Sequence, residues 1–264
     1  HLHVAVVRSH FGSSLVSAQP VHHTPPLSAM MSVQQPQPMG MEAAGRGPKE
    51  CRFSPYIDNG GTAIGISGKD FSVLVGDTRC SMGFNIQTRH SSRLTQLTSK
   101  CVIASGGMQA ERETLHRILK MRIAQYKHAH RKEPTTNAVA AMLSTILYYK
   151  RFFPYYTFNI VAGVDEEGKG AVYSYDAIGS YDRVDYTSTG SGSGLIYPVL
   201  DCALKGEHRL NVPTEDMSKL DAVDLAKDAI SGATERDIYT GDSAEVAIID
   251  STGVTIEMLE LRKD

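Results

Sequence analysis

Residues 59–79 read NGGTAIGISGKDFSVLVGDTR. Residues 62–66 form a short apolar run, the turn Ser67-Gly68-Lys69-Asp70 follows, and 71–75 are apolar again. Two such runs with glycine at the turn predict a β-hairpin. Working outward, 94–97 and 101–105 predict a second strand pair around Thr98-Ser99-Lys100. The patterned part of the chain therefore opens with strands.

Helices come next. The run 109–130 is a helix candidate, with Leu115, Ile118, Leu119 and Arg122 at i, i+3, i+4 and i+7, which requires the Arg122 head to reach water. Pro134 closes it, and Thr135 or Thr136 can cap a second helix. Val139, Met142, Leu143, Ile146 and Leu147 make a full apolar stripe on that helix, and Pro154 stops it. Strands return at 157–164, 170–175 and 183–188, the first two joined by Asp165-Glu166-Glu167-Gly168. A helix is expected from Gly190-Ser191-Gly192-Ser193 towards Leu204. Another is expected over 218–236, with Val223, Ala226, Ile230 and Ala233 inward. Strands at 244–249 and 254–259 close the chain.

Strands, two helices, strands, two helices, strands is not the strict alternation of a doubly wound parallel sheet. It predicts an α+β fold: a four-layer αββα sandwich of two antiparallel sheets with a helix pair on each outer surface. No internal repeat or second domain is legible.

Residues 1–51 differ from the rest. Pro20, Pro25, Pro26, Pro36 and Pro38 stand among Gln, Ser and Met with few acidic residues and no periodicity, the pattern of a disordered leader. The first residue is His1, and Met30, Met31, Met39 and Met41 are candidate starts. The 264 residues carry a formal net charge of -2, so no strongly basic field favours nucleic acid or an anionic membrane. No apolar run approaches the ~20 residues of a membrane helix. Cys51, Cys80, Cys101 and Cys202 form no C-x-x-C pair and no zinc spacing, so no metal or cofactor is expected and the cysteines read as thiols of a reducing compartment.

Four segments could carry chemistry: Asn59-Gly60-Gly61-Thr62, Gly76-Asp77-Thr78-Arg79, Gly190-Ser191-Gly192-Ser193 and Arg236-Asp237-Ile238-Tyr239-Thr240-Gly241. Each alone is weak, since Gly-Thr is common and an Asp-x-Arg after a strand is usually an ion pair. In this order and on these elements they resemble the proteasome beta subunits of the N-terminal-nucleophile hydrolase family. The resemblance covers about 53–264. It is sharpened by Arg52-Phe53-Ser54-Pro55-Tyr56, by 140–148 with Arg151-Phe152-Phe153-Pro154-Tyr155-Tyr156, by 165–174 and by Leu261-Arg262-Lys263-Asp264. These stretches are similar to a non-catalytic kind of beta subunit, the one at the sixth position of the beta ring.

The resemblance implies what to check. In active members a processed threonine attacks the peptide carbonyl, with its own amine as base. A lysine oriented by an aspartate assists, and a glycine N–H stabilises the oxyanion. The aspartate lies sixteen positions after the nucleophile, and counting back from Asp77 reaches Gly61. The lysine position, thirty-two after the nucleophile, is Arg93. Gly107 matches the oxyanion glycine, Ser191 the glycine-run serine, Asp237 the later aspartate and Thr240 the last serine. Glycine cannot form an acyl-enzyme, and guanidinium does not give up its proton in proteins. The shell is thus expected to be vestigial, with no catalytic residue. The competing expectation, an active threonine endopeptidase cut before Thr62, fails on register because Thr62 lies fifteen positions before Asp77.

The resemblance further implies a structural place in a four-ring particle of alpha and beta subunits, beside the chymotrypsin-like beta subunit, with no nucleic-acid or membrane partner. It implies ubiquitin-dependent protein degradation in cytoplasm and nucleus. The domain is expected over 52–264, with the leader removed between Cys51 and Arg52.

Overall fold

The computed structural model describes residues 54–206 and 217–263. The expected leader, 1–51, and its cleavage point at Cys51 and Arg52 lie outside the described residues.

The first hairpin forms as expected, from β1 (Thr62–Ser67) and β2 (Phe71–Asp77). A short hairpin follows, β3 (Cys80–Met82) with β4 (Asn85–Thr88), which the sequence reading did not separate from loop. Its exposed residues and irregular register leave no clear alternation to read. Next come β5 (Leu94–Thr98), β6 (Cys101–Gly107), α1 (Gln109–His130) and α2 (Thr136–Tyr149). Thr135 caps α2, its side chain accepting from the Ala138 N–H at 3.3 Å. β7 (Thr157–Val164) and β8 (Gly170–Tyr175) follow.

The single strand expected over 183–188 is two strands, β9 (Tyr181–Val184) and β10 (Tyr186–Gly190). β9 pairs with β8 in one sheet and β10 with β1 in the other. The chain changes sheets at Asp185, whose carbonyl accepts from the Ser67 N–H at 2.7 Å. α3 (Ser193–Leu200) continues as one π-helical turn, Asp201–Lys205. Then come α4 (Lys219–Thr234), capped by Ser218, and the closing strands β11 (Ser243–Asp250) and β12 (Gly253–Glu260).

The sheets run β10-β1-β2-β11-β12 and β5-β6-β7-β8-β9, and every pairing is antiparallel. Period-2 alternation sorts their side chains. Ile64, Ile66, Val73 and Val75 pack against α3 and α4 through Ile196, Ala226 and Ile230. Ala63, Leu74, Val102, Ile160 and Val172 fill the space between the sheets. Cys101, Ile103 and Val161 meet Leu115, Leu119, Leu143 and Leu147 on the opposite face. These clusters make the four layers αββα, as expected.

The buried face of α1 is wider than the expected stripe. Leu115 and Leu119 are buried, Ile118 is half-buried and Arg122 is exposed, as expected, but Arg112, His116 and Ile123 are buried as well. Arg112 and His116 turn inward because they find polar partners there.

Candidate functional site

Strand ends gather the predicted residues. Gly61 and Thr62 stand where β1 begins, Asp77 at the end of β2, Arg93 just before β5 and Gly107 at the end of β6. β1 and β2 are antiparallel, with Ala63 opposite Gly76, so the start of one lies beside the end of the other. The Thr62 N–H donates to Asp77 Oδ1 at 2.8 Å, and Arg93 Nε donates to the same oxygen at 2.7 Å. Arg93 Nη2 donates to the Arg79 carbonyl.

The Asp77 and Arg93 side chains are fully buried. Burial pushes the Asp77 carboxyl above its ordinary value, while the Arg93 guanidinium and the Thr62 N–H oppose that rise. The pair is only partly satisfied: Asp77 Oδ2 and Arg93 Nη1 are buried with no hydrogen-bond partner.

Gly61 has φ +84°, a left-handed conformation that favours glycine. A Cβ there would lie 1.8 Å from Arg93 Nη2 and 2.1 Å from Arg93 Cζ. The arginine head occupies the space a side chain at Gly61 would need. The Gly61 nitrogen is an amide following Gly60, whose N–H donates to Asp58 Oδ1 at 2.9 Å.

A second cluster lies across Thr62. Its hydroxyl is 2.7 Å from Thr240 Oγ1 and accepts from the Gly192 N–H at 2.9 Å. Thr240 and Ser191 both donate to Asp237 Oδ2 at 2.6 Å, and the Ser191 N–H donates to the Gly61 carbonyl at 3.1 Å. The structure therefore brings Ser191, Asp237 and Thr240 together around Thr62. Thr62 itself is fully buried. Its nitrogen is an in-chain amide bonded to Asp77, which leaves no amine base beside its hydroxyl.

Gly107 joins the site through the preceding segment: its carbonyl accepts from the Asn59 N–H at 3.3 Å. The arginine of the Asp-x-Arg motif bonds the loop before β11. Arg79 Nε reaches Asp242 Oδ2 at 2.8 Å, Arg79 Nη1 donates to the Ile238 carbonyl at 2.9 Å, and Arg89 also bonds Asp242. Burial would raise the Asp242 carboxyl, but hydrogen bonds from Arg79 and Arg89 hold it below its ordinary value. These bonds tie the loop carrying Asp237 and Thr240 to the end of β2.

The profile of the family described as proteasome subunit matches residues 57–249. The chain belongs to the proteasome subunit family. It is 48% identical over 220 residues to the proteasome subunit beta type-1 of Petunia hybrida, covering 82% of this chain and 99% of the relative. It is 49% identical over 213 residues to the protein of that name from Oryza sativa subsp. japonica, covering 79% and 96%. A probable proteasome subunit beta type-6 of Schizosaccharomyces pombe is 38% identical over 223 residues, covering 81% and 99%.

In this proteasome subunit the sequence reading named Asn59 only within Asn59-Gly60-Gly61-Thr62, without a role, and did not single out Arg112 or His116. Asn59 holds the segment before Gly61 in place: its Nδ2 donates to the Ser81 carbonyl at 3.0 Å, and its Oδ1 accepts from the Gln109 N–H, the first of α1, at 2.8 Å. Arg112 is buried and donates through Nη2 to Ser91 Oγ at 2.8 Å. His116 Nε2 lies 2.7 Å from Ser105 Oγ, and its Nδ1 lies 3.0 Å from Thr95 Oγ1. Burial holds its pKa down to about 3, helped by Arg112 and Lys120, so the ring is neutral. A four-residue spacing of polar residues on the inward side of α1 was the only available signal, and on its own it reads as a solvated edge.

Proposed function

We propose that this chain is a non-catalytic beta-type subunit of the proteasome core particle, serving protein degradation by shaping the chamber in which other subunits cut. One observation carries the reading: the residue at the nucleophile position, Gly61, has no hydroxyl, and the Arg93 guanidinium fills the space where a side chain there would project. The rest of the shell, Asp77, Arg93, Gly107, Ser191, Asp237 and Thr240, serves as internal bonding that fixes β1 against β2 and the loop before β11. The position in the ring beside the chymotrypsin-like subunit, the four-ring assembly with other alpha and beta subunits, and a cytoplasmic and nuclear location follow from the family resemblance and belong to the proposal.

The test is to purify core particles containing this chain and treat them with a peptide epoxyketone, which needs a threonine hydroxyl and a free amine together. Intact-mass analysis should show adducts on other beta subunits and none on this chain. An adduct mapped to Thr62 would overturn the proposal.

A further inference from the structure

Beside the start of α1 lies a cavity of about 580 Å³ that plays no part in the Gly61 cluster. Arg112, His116, Arg117 and Lys120 line it together with Thr95 and Glu113. Three of these side chains are cations, His116 is neutral, and Glu113 is the one carboxylate. Arg112 is the unusual member. It is 2% exposed, yet among the described residues it has no carboxylate partner, and its one hydrogen bond is to the neutral Ser91 hydroxyl. A buried guanidinium normally has an anion beside it, because its five N–H donors and its charge are costly to strip of water. Of the two acids whose charge reaches it, Glu113 is exposed and makes no bond to it, and Asp77 is bonded by Arg93. Burial, and secondly the Arg93 charge, hold the Arg112 pKa down to about 10, so this guanidinium would gain from an added negative charge.

We propose that this cavity is a carboxylate-binding site, with Arg112 as its floor and Arg117 and Lys120 at its rim. A carboxylate suits it better than a phosphate dianion. Its planar group matches the arginine fork, and the Glu113 charge at the rim opposes a second negative charge. The Thr95 hydroxyl, which lines the cavity, can bond an oxygen. The carboxylate has two possible sources of the same chemistry: an aspartate or glutamate of an adjacent subunit, or one carried by a peptide in the chamber. The inference rests on the chain standing in an assembled particle. Incorporation is scored separately, so failure of the site and failure of the subunit reading are distinguishable.

The experiment places a photo-crosslinking residue at exposed Ala110, which also borders the cavity. Particles carrying Ala110→p-benzoylphenylalanine are irradiated with and without a short poly-glutamate peptide, with poly-glutamine as control. The adduct is expected within a segment holding an aspartate or glutamate, and it should fall about tenfold when Arg112→Met is added, the order of effect expected from losing a charge-assisted bond. An adduct on a neighbouring subunit assigns the first source, and one on poly-glutamate, absent with poly-glutamine, assigns the second. If Arg112→Met prevents incorporation, Arg117→Gln with Lys120→Gln at the exposed rim supplies the same comparison. No adduct to an acidic segment in assembled particles, or an adduct indifferent to these charges, overturns the proposal.

Discussion

The Arg93 guanidinium stands where a side chain at Gly61 would be: a Cβ built on Gly61 would lie 1.8 Å from Arg93 Nη2. The two residues are thirty-two positions apart in the chain and complementary in volume. In the proposed reading, which puts Gly61 at the nucleophile position and Arg93 at the lysine position, loss of the hydroxyl and growth of the cation belong together. Glycine makes room for the larger head, and the head makes glycine necessary.

Removing that head has a calculable cost. Arg93→Met leaves Asp77 buried with backbone N–H groups alone, chiefly that of Thr62, and without its cation. Breaking a buried pair in this way typically costs about 3–5 kcal/mol. Adding Asp77→Asn removes the stranded charge while keeping an oxygen for the Thr62 N–H, so the pair of changes should recover more than half of the loss. Thermal release of this subunit from purified particles measures both. A double variant no more stable than Arg93→Met would show that the ion pair is not what the site depends on.

The neutral His116 gives the subunit an acid-sensitive face. An unfolded chain takes up a proton here as pH falls through the ordinary histidine value of 6.5, whereas the folded chain holds out until about 3. Stability from this residue is therefore nearly complete above pH 6.5 and is lost progressively as pH falls towards 3, by on the order of 5 kcal/mol. His116→Gln keeps partners for Ser105 and Thr95 without titrating. Between pH 7 and 5 the melting temperature of the wild-type subunit in particles should drop more steeply than that of the variant. Parallel slopes would contradict a neutral buried ring.

Legibility in the sequence followed the strength of the periodic signal. β1, β2, β7, β8 and the faces of α2 and α4 were readable because both sheet faces and the helix stripes are apolar. The break at Asp185 was not, because β9 and β10 form one continuous run in the sequence and only pairing partners divide them. The resemblance to the proteasome beta subunits placed Gly61, Asp77 and Arg93 together. It could not reveal that the Arg93 head fills the Gly61 site, since that depends on side-chain volume across two strands. Arg112 and His116 were missed because a polar residue on a helix reads as exposed unless its buried partner, here Ser91 or Ser105, is known.

Asn59 offers a test of how the segment before Gly61 is held. Asn59→Ala removes the bond to the Ser81 carbonyl and the acceptor for the first N–H of α1. Losing a helix-capping acceptor of this kind costs about 1 kcal/mol, and the stranded carbonyl adds to it. The segment 54–60 should become more open to a non-specific protease in intact particles, while electrophile labelling of other subunits stays unchanged. Equal protection in variant and wild type would mean that the Tyr56 contacts, a 2.7 Å bond to the Pro154 carbonyl and stacking on Phe153, suffice alone.

The strongest test restores the missing group. Gly61→Thr alone should give no self-cleavage, because the new side chain meets the arginine head and must adopt φ +84°. A β-branched residue held in that region costs on the order of 1–3 kcal/mol. Arg93→Lys alone should also leave the chain uncut, since no hydroxyl is present. Together the changes remove the Nη2 that makes the shortest contact, leave a slimmer head that can turn aside, and keep an ammonium to pair with Asp77. The introduced hydroxyl would then sit next to the Gly60 carbonyl. Cutting that bond frees the strained φ and creates the amine that an active site of this family needs. Intact-mass analysis of the subunit in particles should therefore find a chain beginning at position 61 only in the double variant, and an epoxyketone adduct only on that chain. Cleavage in Gly61→Thr alone would show that Arg93 yields its space readily and is not the block argued above. An uncut double variant that assembles normally would show instead that the Ser191, Asp237 and Thr240 cluster has also lost the geometry for proton transfer.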